Sequence, residues 1–358
     1  LLEEFVADTF RLDVHGLCHK YGRRPSTIKD WRIYARHQGI EVGYGPPNEP
    51  GMPPAGIRFY DRRVPSSVSD RRLWELAADA NEVLNELRLS QDKAELAIEE
   101  NLPIGIAFVG DLHIGAVGVD YEAMNDDFGL LAGSDGVYCI GMGDYAHNPQ
   151  ISKRQAEGLY RMVLPKPGHQ YRLVKWQFRK LKGRWIALIR GCHDDFDMQI
   201  SGGDRLEDLC LDLECVNLWH GGLVTIYMPD VTYEILARHK YKYESSLNTT
   251  NAQRRAYDVL YPADLIALGH KHFGDMQKVQ RGELKQHSVV YLRSGTYLVV
   301  DEFGQRIGGF HGEVGVPLAV FYPDEKRIIP FSGPDLQVGL RFLAQERELY
   351  RLEKPEGA

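Results

Sequence analysis

Ile104-Gly105-Ile106-Ala107-Phe108-Val109-Gly110-Asp111-Leu112-His113 decides the fold: a short apolar run ends on glycine and hands over at once to an aspartate and a histidine two residues apart. A run of this length, bounded by a turn residue, predicts a strand buried on both faces. The arrangement recurs. Residues 137–142 lead into Gly143-Asp144, residues 185–190 into Gly191-Cys192-His193-Asp194, and residues 265–268 into Gly269-His270-Lys271-His272. Each strand delivers a carboxylate or an imidazole from its end.

Two divalent ions held about 3.5 to 4 Å apart need a bridging carboxylate, further carboxylate and imidazole ligands, and open positions for water and phosphate oxygens. Asp111 and His113 alternate across one loop and can converge on one ion. Asp144 is the natural bridge, His239 follows the predicted strand 231–237, and His270 and His272 repeat the alternation of the first loop. Glycine before each cluster lets the backbone turn tightly beside the ions.

Taken singly, an Asp-x-His or a His-x-His is commonplace on surfaces and in satisfied cores; the ordered set is specific. From about residue 104 to residue 296 the chain resembles the calcineurin-like metallophosphoesterase superfamily. That family's pattern is Asp-x-His, Gly-Asp, Gly-Asn-His-Asp/Glu, His and Gly-His-x-His, in that order. The resemblance implies an α/β fold, a four-layer αββα sandwich. It implies Asp111, His113, Asp144 and His272 around one metal, and Asp144, the position of Cys192, His239 and His270 around the other. His193 then contacts phosphate or gives a proton to the leaving oxygen. Asp194 is either its orienter or a loop-capping carboxylate.

The chain departs from the pattern at Cys192, where the family has Asn. A thiolate there favours zinc or iron over the manganese otherwise expected; a protonated thiol would instead weaken that site. The stretch Gly143-Asp144-Tyr145-Ala146-His147-Asn148-Pro149 lacks the Asp-Arg continuation of the protein Ser/Thr phosphatases. With Asp111-Leu112-His113-Ile114-Gly115 it is similar to the SbcD-type double-strand-break repair nucleases, which implies that His147 orients DNA and assists the leaving group. Residues 291–297, Tyr-Leu-Arg-Ser-Gly-Thr-Tyr, look like phage-type phosphoesterases.

Outward from this block, residues 1–40 predict a small all-helical unit of helix-turn-helix form. Val14, Leu17, Cys18 and Tyr21 lie at helical spacing, Gly22 is a break, and Ile28, Trp31 and Ala35 mark a second helix. Thr27 and Asp30 suggest a capping box, with Lys29, Arg32 and Arg36 on one face that can meet DNA phosphates; a solvated helical hairpin is the alternative. Residues 41–66 are a Pro/Gly-rich linker. Residues 67–100 predict an amphipathic connecting helix whose apolar stripe (Leu73, Leu76, Ala77, Ala80, Val83, Leu84, Leu87) docks on the catalytic domain or forms a homodimer seam. The metallophosphoesterase domain spans 101–332, with further strands at 216–219, 223–228, 289–292, 318–322 and 327–329. A C-terminal helix lies within 333–358.

The 358 residues carry a net charge of −7, which argues against a protein that coats nucleic acid over its whole surface. Lys240 and Lys242, interleaved with Tyr241 and Tyr243 and followed by Arg254 and Arg255, form a local basic and aromatic stretch suited to a DNA backbone. Lys175, Arg179 and Lys182 make a second stripe or an ordinary solvated face. His169, His220, His287 and His311 lie outside the motifs and read as structural. Five cysteines without finger spacing, and the lack of a signal or membrane segment, suggest a reducing cytoplasm and no membrane partner. The expected function is a metal-dependent phosphodiesterase, first a DNA nuclease. The alternatives are a phosphatase or phosphodiesterase on a nucleotide or other small phosphoester, and a non-catalytic DNA-binding protein on the same scaffold.

Overall fold

Successive side chains of a strand face opposite sides. In Ile104–Val109 (β2) both sides are apolar, and all of its residues are buried. Such a strand needs cover above and below. The computed structural model, which describes residues 2–12, 14–43, 69–86, 91–148, 162–196, 203–245, 248–282, 287–299 and 313–353, supplies it. The chain divides into two compact units, Leu1–Asp79 and Ala80–Ala358.

In the larger unit, one six-stranded sheet contains β2, β3 (Val137–Gly141), β4 (Trp185–Leu188), β5 (Val216–Asn217), β11 (Leu318–Phe321) and β12 (Ile328–Phe331). Its order is β12-β11-β2-β3-β4-β5; β2 to β5 run parallel, and β11 and β12 add antiparallel. The second sheet contains β1 (Lys93–Ala97), β6 (Gly221–Tyr227), β7 (Thr232–Arg238), β8 (Leu265–Leu268), β9 (Asp275–Arg281) and β10 (His287–Arg293). Its order is β1-β6-β7-β8-β10-β9, with β7, β8 and β10 parallel.

Three apolar clusters fix the layers. Ile104, Ile106 and Phe108 of β2 pack with Ile235, Leu265 and Leu292 of the second sheet. Ala107 and Val109 face the other way, onto Phe128 of α5 (Tyr121–Ala132), Phe178 of α6 (Pro167–Phe178), Leu209 of α7 (Arg205–Leu213) and Leu340 of α9 (Leu336–Glu353). Ala252 and Ala256 of α8 (Asn251–Val259) cover Ile266 and Tyr291 on the outer face of the second sheet. The result is helices, sheet, sheet, helix: the four-layer αββα sandwich. Each large side chain sealed in these layers, Phe108 among them, contributes roughly 1.5–3 kcal/mol.

The smaller unit has three helices, α1 (Leu2–Thr9), α2 (Val14–Tyr21) and α3 (Pro25–His37), among its described residues, followed by part of α4 (Asp70–Glu86). Phe5, Leu17 and Ile28 form its core, and the rings of Phe5, Tyr21 and Trp31 meet edge to face at 5.3 to 6.0 Å. Helix α3 starts at Pro25 with Arg24 as its cap and no side-chain capping bond, so the expected Thr27–Asp30 box is absent. Proline fits the first helical position because its missing N–H has no partner there in any case.

One further expectation needs correction. The connecting helix ends at Glu86, and Lys93–Ala97 form β1, paired in parallel with β6. In α4, Leu73, Leu76 and Val83 of the expected stripe are exposed in the single chain, which does not bear on the homodimer-seam alternative. Leu87, His311 and most of the expected linker lie outside the described residues.

Candidate metal centre

Parallel strands place the loops at their carboxyl ends side by side. In the two sheets the loops after β2, β3, β4, β7, β8 and β10 carry, in turn, Asp111 and His113, Asp144, Cys192 to Asp194, His239, His270 and His272, and Ser294. Five of these residues have left-handed backbone: Asp111 (φ 50°), His113 (46°), Asp144 (54°), His270 (76°) and His272 (57°). Each such conformation costs a non-glycine residue about 1–3 kcal/mol and persists only where its surroundings enforce it.

The enforcement is visible. The Asp111 carboxylate accepts the His270 N–H at 2.9 Å and the Ser294 hydroxyl at 3.1 Å, while the Asp111 carbonyl accepts the Thr296 hydroxyl at 2.7 Å. Buried Asp194 accepts the backbone N–H groups of Asp144 (2.8 Å) and Gly191 (2.9 Å), tying the β3 and β4 loops together. Gly191 itself has no room for a side chain: a Cβ would lie 2.1 Å from both N and Oδ1 of Asp144.

Two ligand groups share this floor. Asp111, His113 and His272 converge, with the Nε2 atoms of the two histidines 2.9 Å apart and His272 Nε2 3.6 Å from Asp111 Oδ1. Cys192, His239 and His270 form the other group, with Cys192 Sγ 3.7 Å from His270 Nδ1. Asp144 stands between them, its Oδ2 3.2 Å from His239 Nε2 and 4.0 Å from His113 Nε2, and Asp111, Asp144 and His239 also lie within ligand reach of one another. The chain therefore carries a potential dinuclear metal site.

The side chains suit cations. His239 donates its Nδ1–H to the Met142 carbonyl at 2.8 Å. Its Nε2 is buried and faces the Asp144 carboxylate at 3.2 Å. Burial would lower His239, but the Asp144 charge outweighs it and raises that imidazole well above its usual value, so without a metal Nε2 holds a proton, and a metal cation would take the proton's place. Burial alone would raise Asp144, yet the imidazoles of His239 and His193 outweigh it and hold that carboxyl well below its usual value. Burial, then His272 and His193, pushes His113 well below the usual imidazole value, so its ring is neutral and free to ligate. Burial and then the His239 charge bring His270 down to about 3. Buried aspartates, imidazoles and one thiol are a donor set for divalent zinc, iron or manganese.

His113, His147 and His193 form a third group at the rim. His147 Nδ1 is 3.4 Å from His113 Nδ1, and His193 donates its Nδ1–H to the His147 carbonyl. The His193 ring is thus oriented by His147, whereas Asp194 caps loops from below. Burial and the Asp144 charge push Asp194 up to about 6.

The expected DNA contacts divide. Lys29 and Arg36 are exposed on α3, but Arg32 is only 7% exposed. It shares the i, i+4, i+7 rhythm of Ile28 and Ala35 and so belongs to the packed side. Lys240 and Lys242 are exposed beside His239. The second stripe is engaged in ion pairs: Lys175 (3.0 Å) and Arg179 (2.7 Å) pair with Asp212, and Lys182 pairs with Glu214 at 2.6 Å. His287 meets the Tyr257 hydroxyl at 2.9 Å, a structural partner, whereas His220 faces Asp195 at 3.9 Å and lines a cavity beside the centre. Not anticipated from the sequence were Ser294 and Thr296, which hold Asp111, and Asn148, whose side-chain amide donates to the His193 carbonyl at 3.0 Å.

No family model and no curated protein matches the chain. Solved structures similar to it include Vacuolar Protein Sorting 29 from Cryptosporidium parvum, with 14% identity and a TM-score of 0.31 over 64% of this chain and 98% of that one. Nuclease MPE from Pseudomonas putida shows 17% identity and a TM-score of 0.28 over 63% of this chain and 87% of that one. The calcineurin-like phosphoesterase YfkN from Bacillus subtilis shows 8% identity and a TM-score of 0.34 over 70% of this chain and 99% of that one. No helix among the described residues is long and apolar enough to cross a membrane.

Proposed function

We propose that the chain is a metal-dependent phosphodiesterase whose substrate is DNA. The observation that carries the reading is the place of Asp144, whose Oδ2 stands between His239 and His113 and so between the two ligand groups. A bound pair of divalent ions supplies an activated water for in-line attack and neutralises the phosphate oxygens. Asp111, His113, Asp144 and His272 hold one position of the pair, and Asp144, Cys192, His239 and His270 the other. Manganese is the expected metal, with Cys192 tipping its own position toward zinc or iron.

The remaining groups act on the substrate. The His147 carbonyl fixes the His193 tautomer, leaving Nε2 as the nitrogen offered to phosphate or to the leaving oxygen. His147, beside His113, is placed to assist the leaving group. Lys240 and Lys242 meet the backbone of the bound strand. Lys29 and Arg36 on α3, the second helix of a helix-turn-helix, tether the chain to DNA. Arg32 is not part of that face. Five free thiols agree with a reducing cytoplasm.

The test incubates purified protein with manganese, zinc or magnesium on linear and circular DNA, single- and double-stranded, beside bis-p-nitrophenyl phosphate. DNA cleavage is expected, falling roughly 10²-fold or more in His147→Ala while bound metal is retained. Hydrolysis of the small diester with no DNA cleavage would favour a small-phosphoester substrate. Silence on every substrate, with salt-sensitive DNA binding kept, would leave a non-catalytic binding protein.

A further inference from the structure

Beside the second ligand group lies a cavity of about 450 Å³, lined by Cys192 and His239 on one side and by Arg238, Lys240, Tyr241 and Lys242 on another. Its charge is lopsided. Arg190 also lines it but is committed elsewhere: it pairs with Asp204 and with Asp195 (3.5 Å) and stacks on Trp219 at 4.2 Å. Asp195, the carboxylate among the lining residues, has its charge offset by Arg190 at 3.5 Å, although its Oδ1 makes no hydrogen bond among the described residues.

Two donors in this wall have nothing to bind. Tyr241 is 8% exposed, its ring packed among Leu236, Ala252 and Ala256, and its buried hydroxyl has no hydrogen-bond partner among the described residues. Arg238 Nε is likewise buried without a partner. Buried polar atoms are almost always satisfied, so two unsatisfied donors on one cavity wall point to an absent acceptor. The fold also makes room for the arginine. Gly221 has φ +133°, and a Cβ there would lie 2.6 Å from Arg238 Cγ.

We infer that this cavity is an anion subsite that takes a second phosphate of the substrate, next to the one held at the metal centre. Arg238 Nε–H and the Tyr241 hydroxyl donate to its oxygens, and Lys240 and Lys242 neutralise its charge from the open side. Charge-assisted bonds to a phosphate are the strong class, and the subsite lies one residue from ligand His239. Resting on the phosphodiesterase reading, this makes the preferred substrate a polynucleotide, whose phosphates repeat along the strand, over an isolated diester. Tyr243, 55% exposed and flanked by Lys242 (5.3 Å) and Arg255 (5.7 Å), extends the same basic edge with a face on which a base can stack.

The test compares equilibrium binding of two phosphorothioate-linked thymidine dinucleotides to the full chain with manganese, one with both terminal phosphates (pTpTp) and one with neither (TpT). Ligand integrity is checked by mass spectrometry. Wild type is expected to bind pTpTp at least tenfold more tightly. Tyr241→Phe, which removes only an unpartnered hydroxyl, and Arg238→Met should each shrink that ratio to threefold or less. Equal binding of the two ligands by wild type, or a preference that survives both substitutions, overturns the subsite. If the preference disappears in the variants but no ester is hydrolysed under any condition, the subsite stands and the phosphodiesterase reading falls.

Discussion

His239 and Asp144 face each other across 3.2 Å, and with the Nδ1–H of His239 given to the Met142 carbonyl, Nε2 shares with the carboxylate either a proton or a metal ion. A metal ion that takes the proton's place and binds only the folded chain stabilises it by mass action. At a hundred times its dissociation constant the gain is about 2.7 kcal/mol, or roughly 5 to 10 °C in Tm for a unit of this size. Chelated protein should therefore melt lower and recover when manganese or zinc is returned, and Asp144→Asn should lose the response. A melting curve indifferent to both metals would remove the metal centre.

Ser294 donates its hydroxyl to the Asp111 carboxylate at 3.1 Å. Groups that orient a ligand in this way are worth about 10- to 100-fold in metal affinity, and the lost hydrogen bond about 1 kcal/mol of stability. Ser294→Ala should show both effects, by calorimetric metal titration and by denaturant unfolding. Affinity equal to wild type would mean that the His270 N–H suffices to hold Asp111.

Cys192 stands with His239 and His270, its sulfur 3.7 Å from the His270 ring. A thiolate selects softer metals than an amide oxygen does. Cys192→Asn should shift bound metal from zinc toward manganese when both are offered, as measured by elemental analysis of the dialysed protein. The same metal ratio in both proteins would show that the sulfur does not ligate.

The strands that deliver the ligands were readable because β2, β3, β4 and β8 are buried on both faces and carry continuous apolar runs ending on glycine. Two strands at the edges of the second sheet were not readable. Lys-Ala-Glu-Leu-Ala in β1 is built of helix-favouring residues, and its pairing with β6 overrides that preference. Asp-Met-Gln-Lys-Val-Gln-Arg in β9 has no buried face to give it an apolar alternation. Within the site, Asp and His announce themselves by type and spacing. The Met142 carbonyl that sets the His239 tautomer, and the empty donors on Arg238 and Tyr241, are facts of three-dimensional approach with no signature along the chain. Arg32 was misplaced for a different reason: its spacing fits Lys29 and Arg36, but equally Ile28 and Ala35, and only packing decides which face wins.

Gly191 makes the crossing of two loops possible. Any side chain there meets the Asp144 backbone nitrogen and Oδ1 at 2.1 Å, and a backbone atom cannot swing aside. Gly191→Ala should cost at least the ~1–3 kcal/mol typical of overpacking and should displace Asp144 from both ligand groups. The check is Tm together with metal content. Full metal occupancy in the variant would show that the β4 loop can retreat without disturbing the bridge.

Asp212, on α7, carries two cationic partners. Arg179 holds it with two parallel bonds of 2.8 and 2.7 Å, and Lys175 adds a contact at 3.0 Å. Arg179 first, and then Lys175, hold the Asp212 carboxyl well below its usual value against a small burial penalty. A carboxyl depressed in the folded state adds stability above its unfolded value of about 3.9, and that stability is lost as pH falls through the lower folded value. The pair is largely solvated, so the gain is at most about 1 kcal/mol at low salt and shrinks as salt is added. Asp212→Asn should therefore be less stable than wild type by a constant margin from neutral pH down to about 5, with the margin closing in more acidic buffer. Urea unfolding across that range measures it, and a margin that widens on acidification would show that the carboxylate is not stabilised by its cationic partners.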